Sequence, residues 1–409
     1  MKKLLTILLS LLVVFTLAGC NNGGGDSGNT EDTPIKIGVA TQFEGDTWVV
    51  QKDYYEKELG PALNVEFMFS EKLSDANGLV DFIDQAYAAE CQGVINYLTQ
   101  DEPIIQGARK CQEYGMYFVT QNSKLTTEVA DLEYNVGHCG ADPQKMAAQY
   151  KVLFSDILSD GQPHSLMLYS CGAGGGMAMS HVYSSIAILE SFQEAYGLTY
   201  EKPIEEIVVE LEPRELTTGR DDIKIYIYPG LTPDIPDAVQ TLMQNGDYDI
   251  FAACALFQNF TTGIDAIEKS LNKNITIVGT VQFDDNTAAG FATKDSFGNS
   301  VLDAAMLNPL NPANAVNVIE LVNAIKGANS QMKENGKAVL LGVAPFICKD
   351  EATYNTLLNL DKAHGNYIVS GDAAKALTVL ENPAVTYKDI DAMLQQIADL
   401  DYVLKSVGQ

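Results

Sequence analysis

The chain has 409 residues, with 54 acidic against 26 basic residues and a formal net charge of −28. Negative charge on this scale repels phosphate backbones and excludes a nucleic-acid partner, while the length accommodates two domains or one large bilobed unit. Four histidines form no His-Glu-x-x-His and seven cysteines form no Cys-x-x-Cys, so neither a metal nor a cofactor is expected.

The chain begins with Lys2 and Lys3, then an apolar run from Leu4 to Leu17 broken only by Thr6, Ser10 and Thr16. This is the layout of a secretory signal and is too short to span a bilayer stably. Leu17-Ala18-Gly19-Cys20 closes it and resembles the bacterial lipobox, in which the Cys is diacylated and becomes the new N-terminus. Residues 1–19 are therefore expected to be removed, and Cys20 to carry a lipid that holds the protein to the membrane. The stretch to Pro34 is rich in Gly, Asn, Ser, Asp and Thr, cannot bury apolar surface, and reads as a flexible tether over 20–34. No later apolar run is long enough to cross a membrane. The remaining 390 residues carry 24 basic against 54 acidic groups, or −30. Export permits disulfides among the other six cysteines, and a Cys91–Cys111 bridge is compatible with their places on neighbouring units. The default for each is a small buried hydrophobe.

From Ile35 onward short apolar runs alternate with amphipathic stretches. Ile35 to Ala40 reads as a strand and Thr47 to Leu59 as a helix, capped by Asp46 and stopped by Gly60-Pro61. Strands follow at Asn64 to Phe69, Gly93 to Tyr97 and Met116 to Thr120. Helices separate them at Asp75 to Ala89, where Leu79, Phe82, Ile83 and Ala86 have helical spacing, and at Pro103 to Glu113. A second set begins after His138: helix Pro143 to Leu158, strand Ser165 to Tyr169, helix Ala178 to Tyr196, and strand candidates Ile204 to Leu211 and Ile223 to Tyr228. Helix Ala238 to Asn245, strand Ile250 to Ala253, helix Thr261 to Leu271 and strand Ile275 to Gly279 continue it. Then come a short apolar run at Ser300 to Leu302, helix Pro312 to Ile325 ending at Gly327, one long strand from Val339 to Ile347 broken only by Pro345, and a last helix from Tyr387 to about Leu404. Repeated strand–helix–strand units imply right-handed crossovers and parallel sheets with helices on both faces. The expected fold is α/β, with two doubly wound parallel-sheet lobes joined by hinge strands.

The order of these motifs resembles the type I solute-binding proteins, the ribose-binding-protein-like family, from residue 35 to about 350. The opening Gly38-Val39-Ala40-Thr41-Gln42-Phe43-Glu44-Gly45-Asp46-Thr47-Trp48, the unit Gly93 to Tyr97 through Gly107-Ala108, Ile277-Val278-Gly279, and the return Asn314 to Gly327 then Val339 to Ile347 carry the likeness. The resemblance implies a first lobe of 35–138 plus about 287–343, a second of 139–286 plus about 344–365, an appendage of 366–409, and hinges near His138, Asp284 and Pro345. It also implies a monomer that delivers a small molecule to the membrane permease of an ABC importer. Where sugar binders of the family carry Asp-Arg after the fourth strand, this chain reads Thr120-Gln121-Asn122. Where they carry Asn-Asp it has Cys254-Ala255-Leu256-Phe257-Gln258-Asn259, and where Phe-Asp is usual it has Thr280-Val281-Gln282-Phe283.

In such folds ligands lie at the carboxyl ends of the strands. That rule selects Gln42, Phe43, Trp48, Gln121, Asn122, Asn135, Phe257, Gln258, Asn259 and Gln282 as candidate ligand contacts. Aromatic faces stack on rings, and amides that both donate and accept suit a neutral polar ligand such as a sugar or nucleoside. Trp48 reads equally well as a core residue. Cys171-Gly172-Ala173-Gly174-Gly175-Gly176 misses Gly-x-Gly-x-x-Gly because residue 177 is Met, so it reads as a tight turn bringing the backbone at Gly174 to the ligand. Three alternatives stay open: transport, sensing through a membrane receptor, and an extracellular hydrolase using Cys171 with a histidine. The first needs no catalytic residue.

Overall fold

The computed structural model describes residues 33–406 apart from 123, 172–178, 230–234, 255–262, 282–284 and 363–366. The signal segment, Cys20, Gly174, Phe257, Gln258, Asn259 and Gln282 lie outside the described residues.

The first units are β1 (Ile35–Ala40), α1 (Asp46–Tyr54), α2 (Gly60–Leu63), β2 (Val65–Phe69), α3 (Ala76–Ala88), β3 (Gly93–Asn96), α4 (Asp101–Tyr114), β4 (Tyr117–Thr120) and β5 (Asn135–Ala141). The second run is α5 (Pro143–Ile157), β6 (Leu166–Tyr169), α6 (Met179–Tyr196), α7 (Ile204–Ile207), β7 (Arg214–Glu215), β8 (Ile225–Tyr228), α8 (Ile235–Gln244), β9 (Ile250–Ala253), α9 (Ile264–Leu271), β10 (Thr276–Val281), α10 (Asp285–Ala292) and β11 (Ala304–Leu307). The chain ends with α11 (Asn311–Asn323), β12 (Lys333–Glu334), β13 (Lys337–Val343), β14 (Phe346–Cys348), α12 (Glu351–Lys362), α13 (Gly371–Ala376), α14 (Tyr387–Ile397) and α15 (Leu400–Ser406).

Two seven-stranded sheets result, in the orders β12-β13-β5-β4-β3-β1-β2 and β14-β11-β10-β9-β6-β8-β7. Every pairing is parallel except β12 with β13, β11 with β14 and β7 with β8. Central strands such as Leu166–Tyr169 and Ile250–Ala253 are buried at every position, as continuous apolar runs must be when helices cover both faces. Helix α11 is buried at all thirteen residues and lies against β3, β4 and β5 of the first sheet. It approaches closely because Gly93 and Gly137 face it: a Cβ at Gly93 would meet Leu321 Cδ2 at 3.0 Å, and one at Gly137 would collide with the Glu320 carboxylate.

Several sequence expectations change. Gly60-Pro61 does not stop the first helix. The helix widens into a π turn over Tyr55–Leu59, where the Gly60 N–H reaches the Tyr55 carbonyl, and this admits Pro61 near the start of α2. The stop is Asn64 in the left-handed region. Gly45, at φ 79°, precedes α1 as its N-cap, so Asp46 is the first helical residue. Ile204 to Leu211 is not a strand: Ile204 and Ile207 are buried on the short helix α7. The strand after Ser300 to Leu302 begins at Ala304. It pairs with β10, so the chain is still in the second sheet at residue 307 and does not return to the first lobe near 287. The run Val339 to Ile347 is two strands in different sheets, divided where Pro345 cannot donate to a ladder. The lobes are therefore joined near 141–143, 307–311 and 343–346. Pro345 stands at a crossing, whereas His138 is buried within β5. Residue 284 lies outside the described residues. The helix at the C-terminus is two, α14 and α15, broken at Asp399.

Candidate functional site

The carboxyl ends of the first-sheet strands carry an aromatic wall. Thr41, after β1, fixes its loop: the Phe43 N–H donates to Thr41 Oγ1 at 3.0 Å, and the Leu73 N–H to the Thr41 carbonyl at 2.8 Å. Tyr97, directly after β3, is almost wholly buried and meets Phe43 edge to face at 5.9 Å and Trp48 at 5.5 Å between ring centres. Trp48 also meets Phe69, after which β2 ends, at 6.0 Å. Phe43 is 42% exposed and Trp48 is half-buried, so Trp48 rests on the core with one side and leaves the other open. Such edge-to-face clusters hold rings rigidly and leave an aromatic surface for a ligand's apolar face.

A buried hydrogen-bond chain backs this wall. Tyr97 Oη donates to Asn314 Oδ1 at 2.5 Å and accepts from Tyr55 Oη at 2.7 Å, and Asn314 Nδ2 donates to Gln51 Oε1. Burial, then the neighbouring Tyr55 oxygen, pushes the Tyr97 phenol well above its ordinary value, so it stays a donor.

The amides divide. Gln42 is half-buried beside Phe43. Gln121 follows β4, with its Oε1 buried and unpartnered among the described residues. Asn122 is buried, its Nδ2 donating to the Thr99 carbonyl at 3.3 Å and its N–H to the Cys139 carbonyl at 3.1 Å, which ties the ends of three neighbouring strands. Asn135 belongs elsewhere. It starts β5, opposite Phe118 near the start of β4, and so sits at the amino edge of a parallel sheet. Its Nδ2 donates to the Val129 carbonyl at 2.9 Å, bracing the approach loop. It is removed from the candidate ligand contacts.

The second sheet offers residues that sequence reasoning missed. Tyr169 and Tyr228 end β6 and β8 in register, the Ser170 N–H donates to the Tyr228 carbonyl at 3.1 Å, and Ser170 Oγ is buried without a partner among the described residues. The usable signal was a tyrosine closing an apolar run, as also at Tyr97. Together the described strand ends carry aromatic rings, amides and a buried hydroxyl.

The described cysteines are buried side chains. All six described are free and buried, so Cys91 and Cys111 are not bridged. Burial pushes Cys91 up to about 11 and Cys254 up to about 12. Cys171 holds φ at +50°, and burial raises its thiol despite a hydrogen bond with Tyr169. His181 Nδ1 donates to the backbone carbonyl of Cys171 at 3.3 Å. His164 is committed to Asp249 at 2.8 Å and Asp160 at 3.1 Å, and His138 is buried in the first sheet. Among the described residues no histidine is hydrogen-bonded to the Cys171 thiol, and burial raises that thiol, the opposite of what an activated nucleophile needs. No group of His, Cys, Asp and Glu that could hold a metal ion occurs among the described residues. A cavity of about 750 Å³ lined by Lys294, Asp303, Lys349 and Glu351 lies by the start of β11, at the opposite end of the sheet from the strand ends described above.

No family model matches the chain, and no curated protein matches it. Its fold, however, recurs in solved structures. An ABC transporter solute-binding protein from Burkholderia graminis C4D1M in complex with D-arabinose aligns with 78% of this chain and 97% of its own, at 11% identity and a TM-score of 0.54. One from Bacillus halodurans C-125 with bound myo-inositol aligns with 80% and 98%, at 10% identity and 0.53. One from Actinobacillus succinogenes 130z with bound D-allose aligns with 78% and 99%, at 13% identity and 0.51. The architecture is thus that of the type I periplasmic-binding proteins, α/β in two lobes.

Proposed function

We propose that this protein is an exported lipoprotein, anchored through Cys20, that captures a small neutral polar molecule between its lobes and delivers it to the permease of an ABC importer. It works as a monomer and binds without catalysing a reaction, needing neither metal nor cofactor. The observation that carries the reading is the wall of Phe43, Trp48 and Tyr97 at the carboxyl ends of β1 and β3, with Gln121 Oε1 and Ser170 Oγ buried at strand ends without a partner among the described residues. A ring with hydroxyls matches that combination, because its apolar face stacks while its hydroxyls both donate and accept. The ligands named for the three similar structures, D-arabinose, myo-inositol and D-allose, have this chemistry. Candidate contacts are Gln42, Phe43, Trp48, Tyr97, Gln121, Asn122 and Ser170; Gly174, Phe257, Gln258, Asn259 and Gln282 stay candidates from the sequence alone.

The test is a thermal-shift screen of the protein without residues 1–20 against neutral sugars, cyclitols, nucleosides and amino acids. At a hundredfold excess over Kd a ligand stabilises by about 2.7 kcal/mol. A concentration-dependent rise with a neutral ring compound supports the reading. Stabilisation only by charged amino acids contradicts it.

A further inference from the structure

The lobes are linked by more than the three crossings near 141–143, 307–311 and 343–346. After β14 the chain forms α12, which belongs to the second lobe: Tyr354 stacks with Phe291 of α10 at 5.4 Å between ring centres. From Tyr367 onward the chain is fastened to the first lobe. Tyr54 Oη donates to the Val369 carbonyl at 2.6 Å, and the Tyr54 and Tyr367 rings lie 4.5 Å apart. The Gly371 N–H donates to Glu58 Oε1 at 2.6 Å, on the π turn. Asn323 at the end of α11 donates to the Leu377 carbonyl at 3.0 Å and accepts from the Val379 N–H at 2.8 Å. Ile390 and Leu394 of α14 are wholly buried. The chain therefore passes between the lobes a fourth time, between Lys362 and Tyr367.

The crossings are bonded in pairs. The first and third share the Asp142 N–H to Val343 carbonyl bond at 2.9 Å and the Lys145 Nζ to Gly342 carbonyl bond at 2.8 Å. The second and fourth share Asn311, whose Nδ2 donates to Asp361 Oδ1 at 2.9 Å and to the Leu360 carbonyl at 3.1 Å, all in buried surroundings. The Ile368 N–H also donates to the Leu360 carbonyl at 3.1 Å. A polar pair held away from water is costly to break, because each group is left unsatisfied. Chain length sets a second limit: five residue steps from Lys362 to Tyr367 span at most about 18 Å when fully extended.

We infer that the C-terminal segment from Tyr367 is a fourth hinge cord, clasped to the second crossing through Asn311 and Asp361, and that it restrains how far the empty lobes swing apart. Its two fastenings sit on opposite lobes, so opening beyond the slack of the short connection requires either the Asn311–Asp361 clasp or the Tyr54–Val369 and Glu58–Gly371 contacts to break. The inference rests on the two-lobed fold and is independent of the ligand.

The test compares ligand-free proteins by pulsed dipolar spectroscopy between spin labels at Glu71→Cys on the first lobe and Val152→Cys on the second, both exposed in the folded protein. A flexible Gly-Ser insertion within 363–366 leaves α12 and α13 to α15 packed where they are. It is expected to shift the interlobe distances longer and broaden them, with far-ultraviolet circular dichroism unchanged. Asn311→Ala keeps the chain intact, and is expected to broaden the distribution to a smaller degree. An insertion variant with the parent distribution overturns the inference. If the insertion prevents folding, a parent-like distribution in Asn311→Ala overturns it instead.

Discussion

Glu320 shows how one side chain can set a pH response. Its carboxyl is buried between α11 and β5, neither oxygen has a partner among the described residues, and burial raises it from the ordinary 4.5 to about 8. The folded state therefore holds a proton that the unfolded chain releases near 4.5. Its contribution to stability is complete below that value and is lost as the pH climbs to about 8, at about 1.4 kcal/mol per pH unit. Burial raises Glu268 to about 7 and Asp303 to about 6, which tilts stability the same way. His164 adds to it: burial opposes its charge, but Asp249 and Asp160 hold it above its ordinary value, so its contribution too is lost with rising pH. Glu320→Gln is expected to flatten the fall in urea-derived stability between pH 5 and 8. An unchanged slope contradicts the assignment. Tyr97→Phe removes one hydroxyl that serves both Tyr55 and Asn314, and is expected to cost about 1–2 kcal/mol while altering Trp48 emission. The cysteines are expected to resist alkylation in the native protein and to react once it is unfolded. Rapid native labelling of any of the six described contradicts their burial.

At the scale of elements, close backbone approach explains the glycines that matter. Gly137→Ala drives a methyl into Glu320 on a helix buried on every side, and is expected to cost about 3 kcal/mol in chemical denaturation. Gly161→Ala meets open space and pays only for its left-handed backbone at φ 71°, about 1 kcal/mol. Equal costs contradict the proposed contact. Most strands were legible because an apolar run such as Leu166 to Tyr169 fits only a parallel strand covered on both faces. Misreadings have physical causes. Ile204, Ile207 and Val208 are spaced as on a helix, yet the run is apolar enough to pass for a strand. Val339 to Ile347 looks continuous because both halves are apolar in sequence, and only Pro345 marks the change of sheet. Asn135 was misplaced because a linear sequence does not show which edge of the sheet an amide occupies; it opens its strand instead of following it. Phe43 in the loop after the first strand and Trp48 in the first turn of the following helix were legible as aromatics near the strand end. Tyr97 was not, since its role depends on Asn314, more than two hundred residues later.

At the scale of the molecule, each of two largely parallel sheets gathers loops at its carboxyl strand ends, and α11, β13 and the C-terminal segment bring late parts of the chain back to the first lobe. The sequence order foretold two lobes but not their boundaries, because β11 is only four residues long and the return of α11 to the first lobe shows only in its packing. In the proposed function, closure on a ligand would be a hinge motion driven by the ligand's greater affinity for the closed form. Trp48 is the only tryptophan in the chain and lies against Tyr97, so its fluorescence reports on the wall itself. The most direct measurement is a titration of Trp48 emission with each compound that raises the melting temperature. A neutral ring compound is expected to change the emission saturably, at the concentration that half-saturates the thermal shift. A compound that stabilises the protein while leaving Trp48 emission unchanged would place binding away from this wall and contradict the site.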